Sequence, residues 1–160
     1  MDYQANISRF IIAAREYCTW VEGTAGPNEV FDATRLVSRL HADAVMLPEV
    51  EDEHLPEGDD IPEIPAAQKQ LAAERFKGFP FQYYWEIFTP ITNKPDEPVC
   101  GDVADDFSDI YLDLKAGLLA YDLGHQPQAV WHWRFTWGIH WGEHATSALR
   151  ALHSYQKKGE

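Results

Sequence analysis

The segment Trp131-His132-Trp133-Arg134-Phe135-Thr136-Trp137-Gly138-Ile139-His140-Trp141-Gly142-Glu143-His144, continued to His153, restricts the possible folds more than any other. It holds four of the six tryptophans and four of the seven histidines. Read at 100° per residue as a helix from about Pro127 to Tyr155, it puts Trp131, Phe135, Ile139, Gly142, Ala145, Leu149 and Leu152 on one broad face. Trp133, Trp137, His140, His144, Ala148 and Tyr155 fall on roughly the opposite side. A helix apolar nearly all round is a buried helix. No run approaches the ~20 uninterrupted apolar residues of a membrane span. The segment therefore predicts the central helix of a bundle. Gly138 and Gly142 each cost about 1 kcal/mol relative to alanine inside a helix. Their spacing of four is expected to let a neighbouring backbone approach closely.

The rest of the chain supplies partners for such a helix. Apolar positions Tyr3, Ile7, Phe10, Ile11, Ala14, Tyr17, Cys18 and Val21 follow helical spacing, with Asp2 as N-cap. Past Gly23–Gly26 and Pro27, a second helix turns Val30, Thr34, Val37, Leu40, Ala44 and Leu47 inward and stops at Pro48. A third runs from Pro65 or Ala66 to about Lys77, closed by Gly78. The aromatic run Phe79–Phe88 is predicted as a short helix with Phe81, Tyr84, Trp85 and Phe88 inward. Pro90, Pro95 and Pro98 mark a linker. A helix from about Asp102 to Leu123 has Phe107, Ile110, Tyr111, Leu114, Leu118 and Tyr121 on its core face. The expected fold class is all-α: one domain over residues 1–160, a bundle of about five helices with a buried C-terminal helix.

The net charge of −13 is unevenly placed. The 48–65 segment carries eight acidic residues, four prolines and no Lys or Arg, so it accounts for −8 of the total. It reads as a solvated loop that permits a basic protein partner. The overall charge excludes DNA or RNA as the expected ligand. A DNA-mimicking surface would spread its acids instead of clustering them. Cys18 and Cys100 form no CxxC pair, and no basic n-region precedes an apolar run, so the expected compartment is the cytoplasm and no membrane partner is expected.

Two helices carry candidate chemistry. On the 102–123 helix, Asp105, Asp109 and Asp113 recur every four residues, with Asp106 beside them. Acids in the first turn favour the helix dipole, but Asp113 lies deeper, where like charges at i, i+4 repel. It calls for a cation. On the last helix, His140 and His144 aim two imidazoles at a common point, a geometry used by helical metal sites. Asp109, Asp113, His140 and His144 together form the candidate metal set. Mixed N/O ligation suits Zn, Mn or Fe better than Ca. An ion with an open position could activate water, with Glu143 or Asp106 as base. The competing structural reading is an Asp–His hydrogen-bond network between packed helices.

Other motifs carry less. His140-Trp141-Gly142-Glu143-His144 is not HExxH, because its glutamate does not follow the first histidine. Asp105-Asp106-Phe107-Ser108-Asp109 spells DDxxD, but no second copy exists. GxGxxG, GxxxxGK[ST] and GxSxG are absent. The segments Asp105–Leu118 and His140–His153, and Tyr84-Trp85-Glu86-Ile87-Phe88, resemble the signature helices of a bacterial family known as domain of unknown function 5063. The resemblance implies an all-helical protein and transfers no catalytic residues. Two functional readings follow. The first is a non-catalytic interaction module whose acidic 48–65 loop engages a basic partner. The alternative is a metal-dependent hydrolase using the Asp/His set between the 102–123 and 127–155 helices.

Overall fold

The structure, a computed structural model, describes residues 2–51, 55 and 61–158. Among these residues the chain forms α1 (Tyr3–Glu22), α2 (Glu29–Val45), α3 (Ala66–Arg75), β1 (Tyr83–Glu86), β2 (Val99–Asp102), α4 (Val103–Asp122), α5 (Gln126–Ile139) and α6 (Trp141–Lys158). The fold is predominantly all-α, as expected from sequence. Local chemistry sets the boundaries. The Asp2 carboxylate accepts the Ala5 amide at 3.1 Å and opens α1. Asp102 accepts the Ala104 amide at 2.9 Å and opens α4. These caps occupy amide donors that a helix start leaves unpaired. Gly124, between α4 and α5, is the one glycine among the described residues with positive φ, at 94°. None of the described helices is long and apolar enough to cross a membrane.

The central element is α4, which packs on α1, α3, α5 and α6. It buries Val103, Phe107, Ile110, Tyr111 and Leu114 completely. The predicted continuous 127–155 helix is instead two helices, broken at His140. Only Gln128, Ala129, Val130 and Trp133 of α5 are buried, so Phe135 and Ile139, expected in the core, are 47% and 62% exposed. Rotating the axis at residue 140 lets α6 bury Trp141, Ala145, Ala148 and Leu152 on a different stripe. Indole N–H groups fix this joint. Trp133 Nε1 donates to the Leu114 carbonyl at 3.1 Å, and Trp141 Nε1 donates to the Trp133 carbonyl at 3.2 Å.

The aromatic run expected as a short helix contains a strand. β1 pairs antiparallel with β2, Tyr83 opposite Asp102 and Glu86 opposite Val99. Alternation turns Tyr84 and Glu86 inward and leaves Tyr83 and Trp85 exposed. Gly101 makes the pairing possible, since a Cβ there would lie 2.4 Å from the Tyr84 ring. The partner strand lies beyond three prolines, outside any local window. Much of the acidic 48–65 segment, residues 52–54 and 56–60, lies outside the described residues. Its flanks are attached to the bundle. Ile64 is buried, Val50 and Ile61 pack on the core, and Glu49 reaches Arg134 at 3.6 Å.

Candidate metal centre

The α4–α6 contact brings Asp106, Asp109 and Asp113 against His140 and His144. Asp106 and Asp113 lie seven residues apart, about two turns, and Asp109 sits between them on the same face. His140 Nδ1 lies 2.7 Å from Asp113 Oδ2, and His144 Nδ1 lies 2.8 Å from Asp106 Oδ1. An ionised carboxylate can only accept, so in these bonds both Nδ1 atoms carry the proton. The two Nε2 atoms then turn toward Asp109. His144 Nε2 is 3.3 Å from Asp109 Oδ2, and His140 Nε2 is 3.9 Å from the same oxygen. One ligand atom from each of Asp109, His140 and His144 lies within 4.8 Å of the other two. Two donors bound at about 2.0–2.1 Å around a tetrahedral ion lie about 3.3 Å apart. The His144–Asp109 separation already matches that value.

A neutral imidazole with its proton on Nδ1 has a lone pair on Nε2. That lone pair faces a carboxylate and calls for a donor or a cation between them: a water, a proton or a metal ion. One divalent ion with two neutral imidazoles would balance two of the three carboxylates. The electrostatics fit. The Asp106 hydrogen bond holds the His144 imidazole above its ordinary range, opposed by burial and assisted by Asp109 and Asp105. Burial lifts the Asp109 carboxyl, with His144 and His140 pulling it back. Asp106, 7% exposed, accepts from both His144 and Tyr84, whose hydroxyl donates at 2.6 Å. Burial lifts the Asp106 carboxyl above its ordinary value, and these two bonds pull it back.

A third layer comes from the hairpin. The Tyr84 hydroxyl also lies 3.3 Å from Glu86 Oε1, and Ser147 donates to Glu86 Oε2 at 2.6 Å. Burial, then the contact with Asp106, drives the Tyr84 phenol well above its usual range, so it remains a donor. His132 Nε2 contacts the Asp113 carbonyl at 3.1 Å, securing α5 beside the centre. The structure thus brings together all four residues singled out in the sequence. It sets Asp106, expected from sequence as a base, against His144, and adds Tyr84, Glu86 and Ser147 around them. Asp113 reaches the centre through His140, whereas Asp109 faces both histidines directly. Helical periodicity turns Tyr84 inward but leaves Glu86 unmarked; the antiparallel pairing with 99–102 positions both beside the centre.

The break at His140 depends on Gly142. A Cβ there would lie 2.1 Å from the Trp137 carbonyl oxygen, so the close approach is to the preceding turn and not to a neighbouring helix. Gly138, expected to share that packing role, faces open space: a Cβ at this position would meet nothing within 4 Å. Gly142→Ala should therefore open the joint and displace His140 from His144. The expected cost is about 1–3 kcal/mol, measured by urea unfolding, together with weaker divalent-ion binding. Gly138→Ala should be neutral or slightly stabilising.

A family model described as a domain of unknown function, DUF5063, matches residues 1–158. Comparison with curated proteins gave no match. Among solved structures, the fold is similar to the crystal structure of protein BF1032 from Bacteroides fragilis, with a TM-score of 0.70 and 22% identity over 94% of this chain and 91% of that one. At that identity the likeness concerns the fold.

Proposed function

We propose that this chain, which belongs to the DUF5063 family, binds one divalent transition-metal ion through Asp109, His140 and His144 and uses it for hydrolysis. One observation carries the reading: both histidines give Nδ1 to a carboxylate and turn Nε2 toward a shared third carboxylate. Histidine ligands in metal proteins are commonly oriented in this way by a carboxylate on the far nitrogen. Two imidazoles and one carboxylate leave coordination positions open, and Zn, Mn and Fe all accept such donors. An ion so held lowers the pKa of bound water toward neutrality. Of the two bases expected from sequence, Asp106 has both oxygens engaged. That leaves Glu143, exposed in the first turn of α6 and next to His144 in the sequence.

The interaction reading, a basic partner on the acidic 48–65 segment, is supported by charge alone, as is the expectation that nucleic acid is not a ligand. The metal reading has a geometry behind it. Chelator-treated protein titrated with Zn²⁺, Mn²⁺ or Fe²⁺ in a calorimeter should take up one ion per chain. The His140→Ala/His144→Ala double variant should take up none. Asp106→Asn and Asp113→Asn should each weaken binding about 10- to 100-fold. Failure of all three ions to bind stoichiometrically to folded wild-type protein would sink the proposal.

A further inference from the structure

A cleft of about 580 Å³ lies between the hairpin with its proline loop and the outer face of α6. The size is that of small-molecule sites, about 300–1,000 Å³. Trp85, Phe88, Pro90 and Pro98 form an apolar wall, and Ser147 and Arg150 stand opposite on α6. Trp85 and Phe88 are 72% and 61% exposed, large aromatic surfaces turned to an opening instead of the core. Exposed aromatics gathered along one concavity mark a binding surface more often than scattered ones do.

The polar side of the cleft selects the charge of its occupant. Glu86 also lines it, turned inward: Oε2 accepts from Ser147, and Oε1 lies 3.3 Å from the Tyr84 hydroxyl, whose proton goes to Asp106. Glu143 stands in the first turn of α6, where the helix N-terminus offsets its charge. Arg150 has no such compensation. Of the seven arginines, Arg15, Arg35, Arg39, Arg75 and Arg134 pair with carboxylates, and Arg9 donates to the Asn6 side chain. Among the described residues, Arg150 alone of these has no side-chain hydrogen bond or ion pair to its guanidinium. An uncompensated cation is notable in a chain with 26 acidic and 13 basic residues.

We infer that this cleft binds a small molecule with a flat apolar body and one carboxylate, the body against Trp85 and Phe88 and the carboxylate on the Arg150 guanidinium. A guanidinium fork matches a carboxylate in plane and in donor spacing. The apolar wall supplies the burial that a lone exposed ion pair lacks. Glu86 and Ser147 place this ligand next to the hydrogen bonds that hold His144 through Tyr84 and Asp106. The cleft does not need the metal to bind it, so the two assignments can fail separately.

The test uses full-length, chelator-treated protein and 2-naphthoate as probe, read by calorimetry and by tryptophan fluorescence. Saturable binding at one site is expected. Arg150→Gln and Trp85→Ala should each weaken it at least tenfold, and neutral 2-naphthamide should bind wild type at least tenfold more weakly. The His140→Ala/His144→Ala variant should bind 2-naphthoate as wild type does, even if neither protein takes up an ion. Equal binding of acid and amide, or indifference to Arg150→Gln, would overturn the assignment. So would loss of the probe in the folded double-histidine variant, because it would place the carboxylate at the Asp–His cluster.

Discussion

Asp109→Ala should remove the metal while leaving the apoprotein about as stable as wild type. Among the described residues Asp109 is the single group facing both Nε2 atoms, so no orienting residue can substitute for it. Its loss should weaken ion binding by more than the roughly 100-fold at the top of the range for orienting residues. The stability side follows from its surroundings. Its side chain is 27% exposed and stands four residues from both Asp105 and Asp113, so removing its charge relieves repulsion as well as losing the contact with His144. Partly exposed ion pairs are worth about 0–1 kcal/mol. Thermal melting separates the outcomes. An ion at about 1,000 times its Kd stabilises the folded state by about 4 kcal/mol. Zn²⁺ should therefore raise the melting temperature of wild type and leave that of Asp109→Ala unchanged. Equal shifts in both proteins would mean that the ion binds elsewhere.

Trp133→Ala should be the most damaging single change to the bundle, at about 3–5 kcal/mol. The indole is fully buried, lies 5.2 Å from the Phe10 ring between centroids, and donates to the Leu114 carbonyl. Truncation leaves a cavity and removes the second hydrogen bond to a carbonyl that keeps its helical partner. Gly117 completes the fit, since a Cβ there would lie 2.1 Å from Trp133 Nε1. Gly117→Ala should displace the ring and cost about 1–3 kcal/mol. With total stabilities of about 5–15 kcal/mol, Trp133→Ala should show a substantially lower urea midpoint. A stability within about 1 kcal/mol of wild type, well below the cost of such a truncation, would show that the α4–α5 contact is not anchored by this side chain.

The parts legible in the sequence are those set by local period and caps. Asp2 and Asp102 start their helices where capping chemistry puts them, and the apolar stripe of α1 is buried at Phe10, Ala14, Tyr17, Cys18 and Val21. Asp109 and the two histidines can be singled out because i, i+4 spacing survives the change of axis at His140. What cannot be read depends on close steric fits and on contacts distant in sequence. The break at residue 140 requires a carbonyl of the preceding turn to fit over Gly142, and a helical wheel does not register that fit. Aromatic residues at helical spacing look like core wherever they fall, so the wheel turns Phe135 and Ile139 inward although α4 contacts a different face of α5. The hairpin escapes because the partner of Tyr84 is a glycine, which carries no hydrophobic signal.

The joint between α5 and α6 is secured locally by the His140 amide on the Thr136 carbonyl, at 2.8 Å, and by the Glu143 amide on the His140 carbonyl, at 3.0 Å. An ion bridging His140 to Asp109 would tie that joint to α4, a cross-link between segments some thirty residues apart. Local opening of this kind governs how often a protease or exchanging water reaches the backbone. Metal supply in the cell would then set how long the folded chain survives, through the frequency with which one hinge comes undone.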